Sequence, residues 1–209
     1  MVFMADSERA AKLAIDCGLD AGLHLNFTDR FTGQVSSGLY KQSERVIRFL
    51  KLSKYTQLIY NPLLTHNFRD LFNFQFEEYL RLYKKPPTHI DGHQHMHLCS
   101  NVRIAGLIPA GLKVRRNFSF ERDEKSYLNR MYRKLSDRSL KRKYRITDYF
   151  FSLGRCLITG KVSLVADLAR TSSVELMTHP NILEERRFLL GDAFPSVLGN
   201  LPTMSYADL

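Results

Sequence analysis

The chain has 209 residues, of which 44% are hydrophobic and 25% are charged, a balance typical of one globular domain with a sizeable core. This composition excludes a disordered or fibrous protein. No run of about 18 or more apolar residues occurs, and residues 1–6 lack the charged-then-apolar plan of a signal peptide. The sequence therefore predicts a cytoplasmic protein with a single domain over residues 1–209.

The positive charge of the chain is concentrated in one segment. The net charge is +10, and residues 113–145 carry 13 Lys and Arg against 4 Asp and Glu, a net of +9. Cations interleaved with aromatic residues can contact phosphates and stack on bases. However, the apolar residues at 127–135 recur every three or four positions. This spacing indicates an amphipathic helix whose apolar face packs against the protein and whose basic face is exposed to solvent. We favour this helix over nucleic-acid binding; its apolar positions are Tyr127, Leu128, Met131, Tyr132 and Leu135.

The three cysteines argue against a sulfur-based framework. Cys17, Cys99 and Cys156 are odd in number and lack CxxC spacing, so neither a disulfide framework nor a thiolate zinc site is indicated. We expect all three to be small buried core residues.

The predicted elements alternate between strands and helices along the chain. Apolar or alternating segments predict strands at 2–4, 21–28, 88–98, 111–117 and 173–178. Helical spacing predicts helices at 7–17, 43–53 and 66–84, with a Gly- and Ser-rich loop at 29–40. Pro86 and Pro87 end the third helix. Strands separated by helices pair in parallel, so the fold class is α/β.

The segment THIDGHQHMHL at 88–98 carries four of the seven histidines. Residues two apart in an extended strand share a face, so one face would be entirely imidazole and carboxylate. Same-face neighbours are about 6.6 Å apart and metal bonds are about 2.0–2.2 Å, so one ion can take only one or two of them. The residues on this face are His89, Asp91, His93, His95 and His97.

Further ligands are expected from the ends of neighbouring strands, where parallel α/β domains bind their ligands. His24 lies in the alternating segment GLHLNFT at 22–28. His179 follows the strand at 173–178, and Pro180 stops that strand and leaves the imidazole near its tip. Three predicted strands therefore bring histidine to this end of the sheet.

Three segments, GLHLNFT at 22–28, THIDGHQHMH at 88–97 and ELMTHP at 175–180, resemble the YdjC-like carbohydrate deacetylase family in order and spacing. This family includes the chito-oligosaccharide deacetylases, and the resemblance spans nearly the whole chain. It implies an incomplete (β/α) barrel of the polysaccharide-deacetylase type. It also implies hydrolysis of the acetamide group of N-acetylated amino sugars or oligosaccharides.

The resemblance assigns roles by motif position. It implies that His24 and His93 bind one divalent metal ion and that His179 is the catalytic acid. The family implies magnesium, while imidazole ligands also suit zinc or another transition metal. Amide hydrolysis needs an activated water, a stabilised oxyanion and a proton for the amine, which a metal ion and a histidine supply. Asp91 would orient a histidine or help hold the acid protonated, or would make a plain strand-edge hydrogen bond.

One feature of the family is expected to be missing. Its first strand ends in Asp-Asp-Phe-Gly, which the resemblance assigns to the catalytic base and a further metal ligand. This chain has no Asp-Asp pair and opens at a point that resembles the family's second strand. We therefore expect the first βα unit to be absent, either in a shortened version of a complete enzyme or in a genuine short form that has lost catalysis.

Arg115 and Arg116, at the end of the predicted strand 111–117, are expected to reach a substrate hydroxyl or an active-site carboxylate. The expected partner is an N-acetylated sugar or oligosaccharide, with no membrane and no nucleic acid, and a homodimer is left open. Two other classes also stay open. One is a metal-dependent phosphoesterase, which would need more carboxylates than Asp91. The other is a noncatalytic carbohydrate- or metal-binding derivative, which the absent Asp-Asp pair favours.

Overall fold

The protein is described by a computed structural model that covers residues 1–120 and 124–209. The chain divides into two compact units, Met1–Val114 and Arg115–Leu209. Within the described residues, each unit holds one two-stranded parallel sheet and no closed barrel is formed. The prediction of an α/β class with parallel strands is therefore confirmed. In the part of the chain that the structure describes, none of the helices has both the length and the apolar character needed to cross a membrane.

The first unit is built from strands β1 (Leu23–Leu25) and β2 (Ile90–Gly92) and from four helices. Helix α2 (Ser37–Lys51) begins earlier than predicted, inside the expected loop at 29–40, because Ser36 caps it: Ser36 Oγ accepts a hydrogen bond from Leu39 N at 3.2 Å. The helix predicted at 66–84 is confirmed, and it ends where Lys84 turns into the left-handed region with φ 55°. The four helices are α1 (Ser7–Asp16), α2 (Ser37–Lys51), α3 (Thr65–Tyr83) and α4 (Ser100–Ile104).

The histidine-rich segment departs most from its prediction. β2 ends at Gly92, and residues His93–Leu98 form a 3-10 segment. Gln94 and His95 adopt left-handed φ values of 51° and 60°, so the period-two alternation of faces stops before them. The prediction that five residues of 88–98 share one strand face is therefore wrong.

The predictions of strands at 2–4 and at 111–117 are also wrong. The segment 2–4 bends at Phe3, whose φ is 58°, and forms no strand. The segment 111–117 contributes only an isolated parallel bridge between Val114 and Ile90. Val2 and Val114 are buried, but neither segment pairs over a length that defines a strand.

The end of β1 is fixed by a buried glutamine on α3. Gln75 is fully buried, and its Oε1 accepts a hydrogen bond from Asn26 N at 2.7 Å. Its Nε2 donates to Asn26 O and to Leu71 O, each at 3.1 Å. Gln75 therefore satisfies both backbone groups of the residue that follows β1.

We expect Gln75→Ala to lower the free energy of unfolding by about 3 kcal/mol, because the N–H and C=O of Asn26 would remain buried without partners. Urea unfolding followed by circular dichroism measures this loss. Arg69→Ala, at an exposed position of the same helix, is the control and should change stability by less than about 0.5 kcal/mol. Equal losses in the two variants would contradict the role given to Gln75.

The second unit pairs strand β3 (Tyr149–Ser152) with β4 (Val174–Met177) in parallel, with Phe150 opposite Glu175. The prediction of a strand at 173–178 is confirmed, whereas β3 was not predicted. Phe151, Cys156 and Val165 form the core of this unit. Its helices are α5 (Tyr127–Lys141), α6 (Leu153–Thr159), α7 (Val162–Ala169), α8 (Leu183–Leu190) and α9 (Ala193–Val197).

Helix α5 is amphipathic as predicted, but its apolar positions are exposed. The residues that it buries are Ser136, Asp137 and Leu140. Arg116 Nη2 donates to Asp137 Oδ2 at 2.5 Å, and Asn117 Nδ2 donates to Asp137 Oδ1 at 2.8 Å. These polar contacts hold the opposite side of the helix, so the prediction that its apolar face packs inward is wrong.

The cysteines are all free, and two of them are buried as predicted. Burial raises the pKa of the Cys99 thiol to about 11 and also raises the pKa of the Cys156 thiol. Cys17 is exposed, because it follows the last turn of α1 on an outward-facing stretch. The prediction that all three are core residues is wrong for Cys17.

Candidate functional site

His24 and Asp91 are brought together by the pairing of β1 with β2. The parallel register places His24 opposite Asp91, and His24 Nδ1 lies 2.8 Å from Asp91 Oδ1. The Asp91 side chain is buried, whereas His24 is about one-third exposed. An ionised Asp91 accepts this hydrogen bond from Nδ1 of His24. The lone pair of the ring then lies on Nε2, which takes no part in the contact with Asp91.

Just before β1, Gly22 packs against the ring of another histidine, His89. A Cβ added at Gly22 would lie 2.4 Å from the His89 ring, so any larger residue here would force that ring to move. Tyr79 of α3 donates a hydrogen bond to Ala21 O at 2.7 Å, and burial raises the pKa of its phenol. This phenol stays protonated and anchors the chain at Ala21, two residues before β1 begins and three before His24.

His93 is the first residue after β2, and its ring centroid lies 5.8 Å from that of His24. His93 Nε2 lies 3.0 Å from Asp29 Oδ2. Asp29 is held by Asn26, whose Oδ1 accepts from Asp29 N and whose Nδ2 donates to Asp29 O, both at 2.9 Å. Sequence reasoning missed Asp29, although a carboxylate four residues past a strand that carries a candidate ligand was an available signal.

Gly92 allows the turn that presents His93. A Cβ at Gly92 would lie 2.9 Å from His97 N and 3.0 Å from His97 Cβ, which no other residue tolerates without a shift. His97 is fully buried on this glycine. We conclude that His97 belongs to the packing of the turn, while His93 and His24 are partly exposed on the site.

The imidazole and carboxylate groups at this site are of the chemical types that bind divalent metal ions. Two imidazoles lie close together, and each has a carboxylate within 3.0 Å, the arrangement that orients histidine ligands in metal sites. Over residues 1–120 and 124–209, no group of three or more His, Cys, Asp or Glu is arranged to hold an ion. The raised pKa of Cys99 keeps its thiol neutral near pH 7, so it offers no thiolate.

His179 belongs to the second unit, two residues after β4. Its backbone N donates to Glu185 Oε2 at 2.6 Å, and its Nδ1 lies 3.5 Å from Glu185 Oε1. Glu185 is almost completely buried, whereas the imidazole is 45% exposed. A Cβ at Gly154 would lie 2.6 Å from Glu185 Oε1, so this glycine makes room for the carboxylate. Glu185 was missed, because only the turn of the chain into α8 brings it back to His179.

Arg115 and Arg116 both contact carboxylates inside the second unit. Arg115 Nε donates to Glu175 Oε1 at 2.6 Å, and its guanidinium lies over the Phe150 ring. Arg116 binds Asp137 of α5. Both arginine side chains are only 15% exposed, and a contact with substrate stays a prediction for each.

The fold and these contacts define an α/β protein with imidazole–carboxylate pairs at strand ends. A sequence model for a family described as YdjC-like protein matches residues 1–198, so the chain belongs to the YdjC-like family. No curated protein matches the chain. Because the family is related to carbohydrate deacetylases, membership supports a carbohydrate-processing hydrolase in the broad sense.

Proposed function

We propose that this protein removes acetyl groups from N-acetylated amino sugars or oligosaccharides in a reaction that depends on one divalent metal ion. The observation that carries the proposal is the pair of neighbouring imidazoles, His24 and His93, each within 3.0 Å of a carboxylate. Family membership supplies the class of reaction. The donor set supplies the reason to expect a metal.

In this proposal His24 and His93 would hold the ion. Imidazole ligands favour zinc and other transition metals, while the resemblance implies magnesium, and the adjacent carboxylates are compatible with either. When bound, the ion supplies activation of a water and stabilisation of the oxyanion that forms from the amide carbonyl. Asp91 keeps the His24 ring in one orientation and one tautomer.

His179 supplies the proton that the departing amine needs. The resemblance assigns it this role, and its exposed imidazole is compatible with proton transfer to a substrate. Glu185 holds the backbone of His179 and lies beside Nδ1, which would leave Nε2 to carry the transferred proton. Glu185 is thus a positioning residue in this mechanism.

Metal analysis of the purified protein, combined with acetate release from N-acetylglucosamine oligomers, tests the proposal. Metal content together with acetate release supports the deacetylase. Binding of metal or sugar without acetate release would instead favour the noncatalytic derivative. Hydrolysis of phosphate esters in place of acetamides would favour the phosphoesterase.

We expect Asp91→Asn to lower the affinity for a divalent ion by about 10- to 100-fold, because the neutral amide no longer fixes and polarises His24. Isothermal titration with Zn²⁺ and with Mg²⁺ measures the change. Asp20→Asn, at an exposed position of the same unit, controls for the loss of one negative charge. An unchanged affinity in Asp91→Asn would remove Asp91 from the proposed site.

A further inference from the structure

Helix α5 presents an apolar stripe to the outside of the molecule. Its five members are between 42% and 70% exposed, and at 100° per residue they cover about 140° of the helix surface. The residues that α5 buries, Ser136, Asp137 and Leu140, lie roughly opposite. The stripe consists of Tyr127, Leu128, Met131, Tyr132 and Leu135.

The surroundings of the stripe are strongly basic. Residues 125–145 contain nine Lys and Arg and a single acidic residue. That residue, Asp137, is buried and paired with Arg116. Lys134 and Arg138 are exposed and, at helical spacing, lie beside Tyr127 and Met131. The outer side of α5 therefore combines aliphatic and aromatic groups with positive charge alone.

We propose that the outer side of α5 docks on an anionic membrane surface, which departs from the expectation, drawn from the sequence, of no membrane partner. A helix lying in the membrane interface needs an apolar stripe to enter the acyl boundary and flanking cations to meet lipid phosphates. Helix α5 has both features. Its 15 residues fall short of the about 20 needed to span a bilayer, so it lies along the surface.

Two other occupants fit the same surface less well. A second copy of the chain would bring the same cations against one another, which opposes association of two such faces. Nucleic acid would satisfy the cations, but it offers no apolar phase for Leu128, Met131 and Leu135. An anionic lipid surface matches the charge and the apolar groups together.

Vesicle binding by the full chain tests the proposal. We expect sedimentation with vesicles of phosphatidylcholine and phosphatidylglycerol, and little with phosphatidylcholine alone. Leu128→Ser combined with Leu135→Ser should lower the partition coefficient at least about tenfold, and Arg138→Gln should lower it about fivefold. The matched control is Ile158→Ser combined with Leu190→Ser, which changes two apolar residues that are 87% and 83% exposed elsewhere in the same unit.

A fluorescent reporter locates the contact independently of any loss of binding. Because the chain has no tryptophan, Leu128→Trp introduces a single indole, whose emission should shift to the blue with anionic vesicles. Ile158→Trp should show no shift.

Absence of binding to anionic vesicles would overturn the proposal, and so would binding that depends on Arg138 but not on Leu128 and Leu135. Absence of vesicle binding together with loss of self-association in the serine variant would assign the surface to a second copy of the chain. Tighter binding to an oligonucleotide than to anionic vesicles would assign the surface to nucleic acid instead.

Discussion

Replacing either His24 or His93 by alanine is expected to weaken divalent metal binding by about 10²-fold or more, the largest effect we predict on binding. Each substitution removes one of two imidazoles whose ring centroids are 5.8 Å apart, and carboxylates alone hold a borderline-soft ion such as zinc poorly. Isothermal titration with Zn²⁺ and with Mg²⁺ gives the affinities. The loss should be larger for zinc, because imidazole contributes more to its binding than to that of magnesium.

His66→Ala is the matched control for these two variants. His66 lies at an exposed position on α3 in the same unit, so its removal changes the histidine count without touching the imidazole pair. Its metal affinity should equal that of the unmodified chain. If His66→Ala and His24→Ala lose the same affinity, the measured ion binds histidines nonspecifically and the proposed site is wrong.

Helices α1 and α3 of the first unit were the easiest elements to predict, because their signals are local. The periodicity of 66–84 and the two prolines behind it define α3 to within one residue at each end. β3 was missed because its four residues, YFFS, form a short apolar run that periodicity cannot assign to a strand or a helix.

The geometry of the histidine-rich turn could not be predicted from spacing. An extended strand is the local expectation for alternating residues, whereas the structure turns at His93 and places Gln94 and His95 in the left-handed region. Such a conformation costs about 1–2 kcal/mol per residue, so packing must stabilise it. That packing is the burial of His97 against Gly92, a contact that only the folded turn reveals.

The candidate site was predictable in its histidines but not in their partners. His24 and Asp91 lie in recognisable motifs, and strand register explains why they meet. Asp29 and Glu185 instead approach their histidines through turns that Asn26 and the start of α8 shape. Pairings made by turns depend on tertiary structure, which a single sequence does not encode in any regular spacing.

In the proposed reaction, His179→Ala is expected to lower turnover by about 10²-fold or more while metal content stays normal. The His179 ring contacts Glu185 in the second unit, whereas the imidazoles of His24 and His93 belong to the first unit. A proton donor and a metal ligand therefore predict different outcomes. Acetate release under saturating substrate, measured beside metal content, separates the two.

Two further variants make the assignment of His179 specific. Asn181→Ala changes an exposed residue in the same turn and should leave turnover and metal content unchanged. Glu185→Gln keeps the size of the buried side chain but removes its charge beside His179 Nδ1. It should lower kcat more than it raises KM, because a neutral amide holds the His179 ring less firmly in the position from which the proton is transferred. If His179→Ala loses metal and activity in parallel, His179 is a ligand, and the proton for the leaving amine must come from another residue.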